Sequence, residues 1–359
     1  MRRNNGDRES LHFVYVDLPP HLRRWKRGTK GLRLYYLIWQ VLALRRAQQL
    51  MQERRFDLVW HVTLANAWIG TTAGLLGLPL VYGPVGGGVS PPWSLLGTLG
   101  VRGCGYELAR ATARICGRRV NPLARISWRR ARMILALNEQ TRQWLPRPHR
   151  ARCVVFPHAV LDGIRPDGGS RCRPSSVMLF AGRLLAWKGV SLAVRALKEL
   201  PGWSLVVCGD GPDRRRLEEL SSRLGVDGRV EFRGWVARSE LQRVMRTEAT
   251  VFVFPSLHDD SPFAVVEALS AGLPVVCLDR GGPSVLANGE FVVQATALRE
   301  TVRRLAQTVV SASGADPRYQ ITRAADFLPE SILPRLRNLM AVHVLVEDER
   351  AERDRRSAK

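Results

Sequence analysis

The sequence predicts an α/β chain of two facing domains, each built on a parallel sheet covered by helices. Short apolar runs alternate with amphipathic stretches along most of the 359 residues, and strands alternating with helices imply parallel sheets buried on both faces. The length suits two domains of ordinary size, and an apolar content of 45% suits packed cores rather than disorder. DGIRPDGGSRCRPSS, 162–176, is rich in Gly, Pro, Ser and Arg without periodicity and reads as a linker. The expected division is a first domain over 1–161, a linker over 162–174, a second domain over 175–325, and a C-terminal helix with a charged tail over 326–359.

In order, LHFVYVDL, FDLVWHV, LPLVYG, RMILAL and RCVVFP read as buried strands of the first domain. SVMLFAG, WSLVVCG, RVEFRG, ATVFVFP and LPVVCL do so in the second, with GVSLAVRALKEL and DRRRLEELSSRLG as amphipathic helices between them. From Leu58 to Val101 no charged residue occurs, but Gly and Pro interrupt the run repeatedly. Strand, helix, strand and glycine loop explain it better than a membrane span.

The six cysteines show no paired spacing of the kind metal sites or disulfide frameworks use. No metal and no structural disulfide are expected. MRRNNGDRES is charged and leads into no apolar stretch of the signal-peptide type, so a cytoplasmic location is expected. The net charge of +23 would ordinarily point to an anionic partner. Only Lys26, Lys30, Lys188, Lys198 and Lys359 are lysines, and so strong an arginine bias also follows from a GC-rich genome. Nucleic acid is not the expected partner, because no zinc-finger spacing, RNP-type aromatic motif or helix-turn-helix signal is present.

The chemistry is sought in loops that follow strands, since open α/β sheets bind ligands there. After SVMLFAG comes GRLLAWKG, in which Arg183 and Lys188 bracket a strand-to-helix loop and Gly182 and Gly189 relieve the backbone. Two cations beside a helix N-terminus suit a diphosphate; solvated loop cations are the plainer alternative. After ATVFVFP, the loop LHDDSP leads into PFAVVEALSAG, a helix with Pro262 near its first turn. The N–H groups around Phe263 and Ala264 would face the same cleft. Glu267 interrupts an apolar run, and an ionised carboxylate there needs a partner. Vicinal hydroxyls such as a ribose would supply one, and so would one of the many arginines. Asp259 and Asp260 precede the helix, where one of them would serve as its cap.

The succession GRLLAWKG, VVCGDGPDRRRLEEL, VEFRGWVARSEL and FPSLHDDSPFAVVEALSAGLPVV resembles the donor-binding half of family 4 of the nucleotide-sugar glycosyltransferases, over most of residues 175–290. The resemblance implies the GT-B architecture of two facing Rossmann-like domains. It implies Arg183 and Lys188 for the donor diphosphate, Asp259 for the transferred sugar and Glu267 for the ribose. Gly182, Asp260, Ser261, Pro262, Phe263 and Ala264 would complete the donor site, with backbone around Arg233, Gly234 and Trp235 near the base. The pattern usually has glutamate where Asp259 stands; the shorter side chain either shifts the sugar or brings in Asp260.

The first half resembles a narrower group in that family through FVYVDLPPHLRRWKRGTKGLRLYYLIWQ, FDLVWHVTLANAW and YGPVGGGVSPP. Gly86, Gly87 and Gly88 follow a strand, so a ligand can approach the backbone closely there. The group commonly has an acid after these glycines, where this chain has Val89, and many relatives carry a cleft histidine that this loop lacks. His61, after the preceding strand, is a cleft candidate or a packed strand-end histidine. The family usually begins with a strand and a glycine-rich loop before the equivalent of LHFVYVDL, which here begins at residue 11. The first domain is therefore expected to be incomplete at its N-terminus, by truncation or a misassigned start.

Between Arg102 and Arg152 there are thirteen arginines and two acids, and YELARATARICGRRVNPLARISWRRARM interleaves them with Tyr, Leu, Ile and Trp. This reads as an interfacial helix for an anionic membrane surface or as a solvated arginine-rich surface. The resemblance implies a retaining transferase that moves a sugar from a nucleoside diphosphate sugar to a glycan or lipid-linked acceptor; Arg183, Lys188 and a helix N-terminus at the leaving diphosphate would replace a metal ion, so metal independence and no cofactor are expected. The alternatives are a truncated, non-catalytic relative that binds nucleotide weakly or serves as a partner subunit, and another GT-B enzyme such as a sugar-nucleotide epimerase.

Overall fold

The structure, a computed structural model, describes residues 11–345 apart from 24, 26–30, 63, 65, 164, 165 and 167–175. Most of the expected linker and the charged tail lie outside the described residues. Two parallel sheets are present. The first has four strands in chain order, β1 (Val59–His61), β2 (Leu80–Val85), β3 (Ala131–Ala136) and β4 (Cys153–Val155). The second comprises β5 (Val177–Ala181), β6 (Ser204–Cys208), β7 (Val230–Gly234), β8 (Val251–Phe254), β9 (Val275–Leu278) and β10 (Val292–Val293). Its spatial order is β7-β6-β5-β8-β9-β10. The order reverses between β5 and β8, which makes the crevice beyond their carboxyl ends the topological switch point.

Helices close both faces of the second sheet: α5 (Val190–Ala196), α6 (Arg214–Leu224), α7 (Arg238–Thr247), α8 (Phe263–Ser270), α9 (Gly282–Leu286) and α10 (Leu298–Ser313), numbered to follow α1 (Leu32–Glu53), α2 (Gly100–Arg119), α3 (Pro122–Arg130) and α4 (Glu139–Trp144) of the first domain. The chain ends in α11 (Pro317–Ala325) and α12 (Pro329–Met340). Residues 341–345 return to pack against β3. The larger apolar core fills the second domain and continues onto one face of the first sheet through Val81, Met133, Leu135 and Phe156; a smaller cluster around Leu80, Tyr82, Trp128 and Ile134 covers the other face.

Two sequence expectations are corrected. LHFVYVDL forms no strand: residues 11–18 lie outside the sheet, with Phe13 and Tyr15 exposed. A strand needs a neighbour for its N–H and C=O groups, and this segment instead lies along α1, where the Trp39 indole donates to the Val16 carbonyl at 2.8 Å. The arginine-rich stretch from Tyr106 to Met133 is two helices and a strand rather than one helix. Pro122 cannot continue α2, and Asn121 restarts the chain as the cap of α3, its Oδ1 accepting from the N–H of Leu123 at 3.0 Å. Of the two roles read for His61, its contacts, described below, fit the packed strand-end histidine. Among the described residues no helix is long and apolar enough to cross a membrane.

Candidate active site

The loops after β5 and β8 lie against each other at the switch point. Gly189 has φ +71°, and a Cβ there would stand 1.9 Å from the Pro255 carbonyl oxygen, so only glycine lets the loops approach this closely. The Leu257 N–H donates to the Trp187 carbonyl at 2.8 Å, and Lys188 lies 5.1 Å over the Phe254 ring. Lys188 Nζ is paired with Asp259 Oδ2, both side chains largely buried. The diphosphate cation and the sugar carboxylate expected from sequence are thus brought together and neutralise each other. Arg183 is exposed in the same loop, beyond Gly182, whose N–H donates to the Cys208 carbonyl at 2.9 Å.

Pro262 is the first-turn boundary of α8, and no side chain caps that helix. The N–H groups of Phe263 and Ala264 are therefore available to a ligand. Beside them the Ser261 hydroxyl is buried without a partner. Glu267, one turn along α8, accepts from Arg238 Nε at 2.9 Å and is 12% exposed. The partner that its position demands is here an arginine, as the plainer reading held. Arg233 is committed elsewhere: Glu231 and Glu248 hold its guanidinium at 2.8 and 2.7 Å and raise its pKa further. Gly234 turns with φ +68° at the end of β7, leaving Trp235 exposed beside it.

From the first domain, the loop after β2 supplies Gly86, Gly87 and Gly88. What approaches them is Asp260, from the loop after β8. The Gly87 N–H donates to Asp260 Oδ1 and Oδ2 at 3.1 and 3.0 Å, and Asn138 Nδ2 donates to Oδ1 at 3.1 Å. A Cβ on Gly86 would stand 2.2 Å from the Asp260 carboxyl. Burial pushes the Asp260 carboxyl above its ordinary value, against the hydrogen bonds from Asn138 and Gly87 that lower it. Arg114 braces the glycine loop from α2 by donating to the carbonyls of Gly88 and Val89 at 2.6 and 3.1 Å, and burial lowers its pKa to about 10.

His61 is held by partners within the first domain. Its Nε2 meets the Tyr36 hydroxyl at 2.8 Å and its Nδ1 the Thr71 hydroxyl at 2.9 Å. Both ring nitrogens serve packing within the first domain. The sequence reading missed His158, which follows β4, the last strand of the first sheet. Its ring meets Phe263 edge-on at 5.6 Å, its Nδ1 is buried without a partner, and burial pushes its pKa down. A histidine at the carboxyl end of a sheet strand was the available signal. Asn138 and Glu107, which contact the loop around Asp259, carried none. Among the described residues no three His, Cys, Asp or Glu side chains are grouped as metal ligands.

With the geometry in place, comparison with known proteins is informative. The profile described as "Glycosyl transferases group 1" matches residues 173–312, the part of the chain that holds the β5 and β8 loops. The second domain is thus similar to the group 1 glycosyl transferases. It is 29% identical over 354 residues to the 2-deoxystreptamine N-acetyl-D-glucosaminyltransferase of Streptomyces fradiae, covering 88% of this chain and 80% of that one. Other curated relatives are matched over only 17% to 38% of their own length. In fold, the chain is similar to the lipopolysaccharide outer core galactosyltransferase WaaB, with TM-score 0.62, 16% identity, and coverage of 89% of this chain and 87% of that one. It is also similar to Anabaena HepE in complex with UDP, with TM-score 0.58, 18% identity, and coverage of 85% and 84%. The two parallel sheets and these neighbours establish the GT-B architecture.

Proposed function

We propose that this glycosyl transferase moves a hexose-type sugar from a nucleoside diphosphate sugar to a hydroxyl on a growing glycan or lipid carrier, with retention of configuration and without a metal or cofactor. One observation carries the reading: Lys188, Asp259 and the uncapped start of α8 meet at the β5/β8 switch point. The leaving nucleoside diphosphate gains negative charge as its bond to the sugar breaks. Lys188, Arg183 and the α8 N–H groups would stabilise that charge more in the transition state than in the ground state. The Ser261 hydroxyl adds a donor at the same place. Glu267 would exchange Arg238 for the ribose hydroxyls, and Trp235 lies on the side proposed for the base. Retention rests on the family resemblance.

Calorimetric titration with UDP, GDP and ADP tests this reading. One nucleotide should bind saturably in the presence of EDTA, with Lys188→Ala and Glu267→Ala each weakening it about tenfold, or ~1.4 kcal/mol. No binding by the unaltered chain, or a strict divalent-metal requirement, would sink it. A second reading, nucleotide binding without transfer, is favoured by the pairing of Asp259 with Lys188; saturable binding with no turnover of any donor would select it.

The proposed setting is the cytoplasmic face of an anionic membrane. Trp93, Val101, Leu108 and Ile115 are 89, 91, 71 and 55% exposed. The last three recur every seven residues on α2 and so share one face, with Arg102 at one end and Arg118 and Arg119 at the other. Such a face suits the interface plane of a bilayer. In flotation, the chain should rise with vesicles containing phosphatidylglycerol at low salt, and Leu108→Asp should leave it at the bottom. Equal recovery of both would reject α2 as the docking face.

A further inference from the structure

The two residues that flank Asp259 are bound to the other domain. On one side, His258 Nε2 lies 2.5 Å from Glu107 Oε1 of α2, with both side chains buried. The His258 ring stacks on Trp187 at 5.4 Å, and Trp187 stacks on Tyr106 of α2 at 4.5 Å. On the other side, Asp260 sits in the seat made by the Gly87 N–H and the Asn138 amide. Immediately behind it, the Gly281 N–H donates to Gln140 Oε1 at 2.9 Å, and Gly282 lies so close that a Cβ would stand 1.9 Å from the Asp260 carbonyl oxygen.

We propose that Glu107–His258 and Gly87/Asn138–Asp260 form a two-point interdomain latch that closes the cleft and, in closing, sets the direction of the Asp259 carboxylate. Consecutive α-carbons are 3.80 Å apart across a trans peptide, so with residues 258 and 260 both pinned the residue between them has little freedom. From its own domain the loop receives the Leu257 hydrogen bond to Trp187 and the Gly282 N–H bond to the Asp259 carbonyl, which fix its path; the Asp259 carboxylate itself meets Lys188 through Oδ2 and the Asp260 N–H through Oδ1 at 3.0 Å, and the latch holds Asp260 in place. The latch contacts are chiefly polar, and water can replace them when the domains part. Polar contacts of this kind permit motion about the apolar core that the two sheets share. Glu107, His258 and Asp260 are positioning residues: they touch neither sugar nor diphosphate and act through Asp259. The positioning half of this inference rests on the proposed sugar contact of Asp259; the latch itself does not.

Asp260→Asn tests it in the full chain. The Asp260 carboxylate accepts from two donors, the Gly87 N–H on both oxygens and the Asn138 amide on Oδ1, whereas an amide turns its own N–H groups toward one of them. Glu107→Ala removes the acceptor of His258 and so opens the other point. Small-angle scattering should show a larger radius of gyration for each variant, and amide exchange across 86–90 should quicken by ~tenfold or more. Affinity for the bare nucleotide among UDP, GDP and ADP that binds should stay within about threefold, while the further affinity of its glucose conjugate is lost. Unchanged scattering and exchange in both variants would refute the latch. Opening with the sugar increment intact would refute positioning, as would equal weakening of both ligands, the pattern of simple destabilisation. If the unaltered chain binds no nucleotide, the transfer reading fails, and scattering and exchange still decide the latch.

Discussion

Asp259→Asn is expected to bind the bare nucleoside diphosphate more tightly than the unaltered chain does, while its sugar transfer falls. Lys188 is the largely buried cation of the β5 loop, and Asp259 neutralises it. A diphosphate that takes Lys188 must displace this carboxylate and then lie near its negative charge. A unit charge at such range costs about 1–4 kcal/mol at effective dielectric constants between bulk water and a protein surface. Asparagine keeps the shape and removes the charge, so a gain in affinity of about three- to tenfold is expected, or ~0.7–1.4 kcal/mol. The same substitution removes the group proposed to hold the transferred sugar. Calorimetry with the bare nucleotide and turnover with its glucose conjugate should therefore move in opposite directions. A loss of nucleotide affinity in Asp259→Asn would mean that the pair is scaffold and that the diphosphate lies elsewhere.

The opposition of these two roles was not legible in the sequence. GRLLAWKG and HDDSPFAVVEALSAG identify Lys188 and Asp259 as cleft residues because each follows an apolar run that can only be a buried strand. That inference is local, and both segments do follow strands, β5 and β8. Nine of the predicted strand runs contain strands, whereas LHFVYVDL does not. Alternation makes a segment able to pair, but pairing requires an accessible edge, and no sequence pattern supplies one. Val292–Val293 was missed because two residues leave no periodicity to read. Partner choice is equally non-local. Asp260 belongs by sequence to the donor loop, yet its acceptor duty is toward Gly87, 173 residues away, and His258 meets Glu107 at a separation of 151. Glu267 needed a partner by the physics of burial. Arg238 and a ribose satisfy that need equally well on paper, and only the fold places Arg238 within 2.9 Å.

Gly189→Ala should produce the largest loss of stability among single-methyl additions at this site. Two costs combine. The left-handed conformation at φ +71° costs an L-residue about 1–2 kcal/mol. The new Cβ would also stand 1.9 Å from the Pro255 carbonyl oxygen, which is backbone and cannot swing aside as a flexible side chain does. Separating the loops enough to admit it breaks the Leu257–Trp187 hydrogen bond and withdraws Lys188 from Phe254. A total of at least about 3 kcal/mol is expected, a fall in Tm of roughly 6–12 °C for a domain of this size. Gly225→Ala is the matched control: φ is +66°, but nothing lies within 4 Å of its Cβ position. It bears the conformational cost alone, about 1–2 kcal/mol. Thermal melts of the two variants isolate the contact between the loops, and equal shifts would mean that the loops tolerate separation. Because the loop carrying Lys188 and the loop carrying Asp259 are packed as one unit, Gly189→Ala should also weaken nucleotide binding, whereas Gly225→Ala, remote from both loops in sequence at the end of α6, should leave it unchanged.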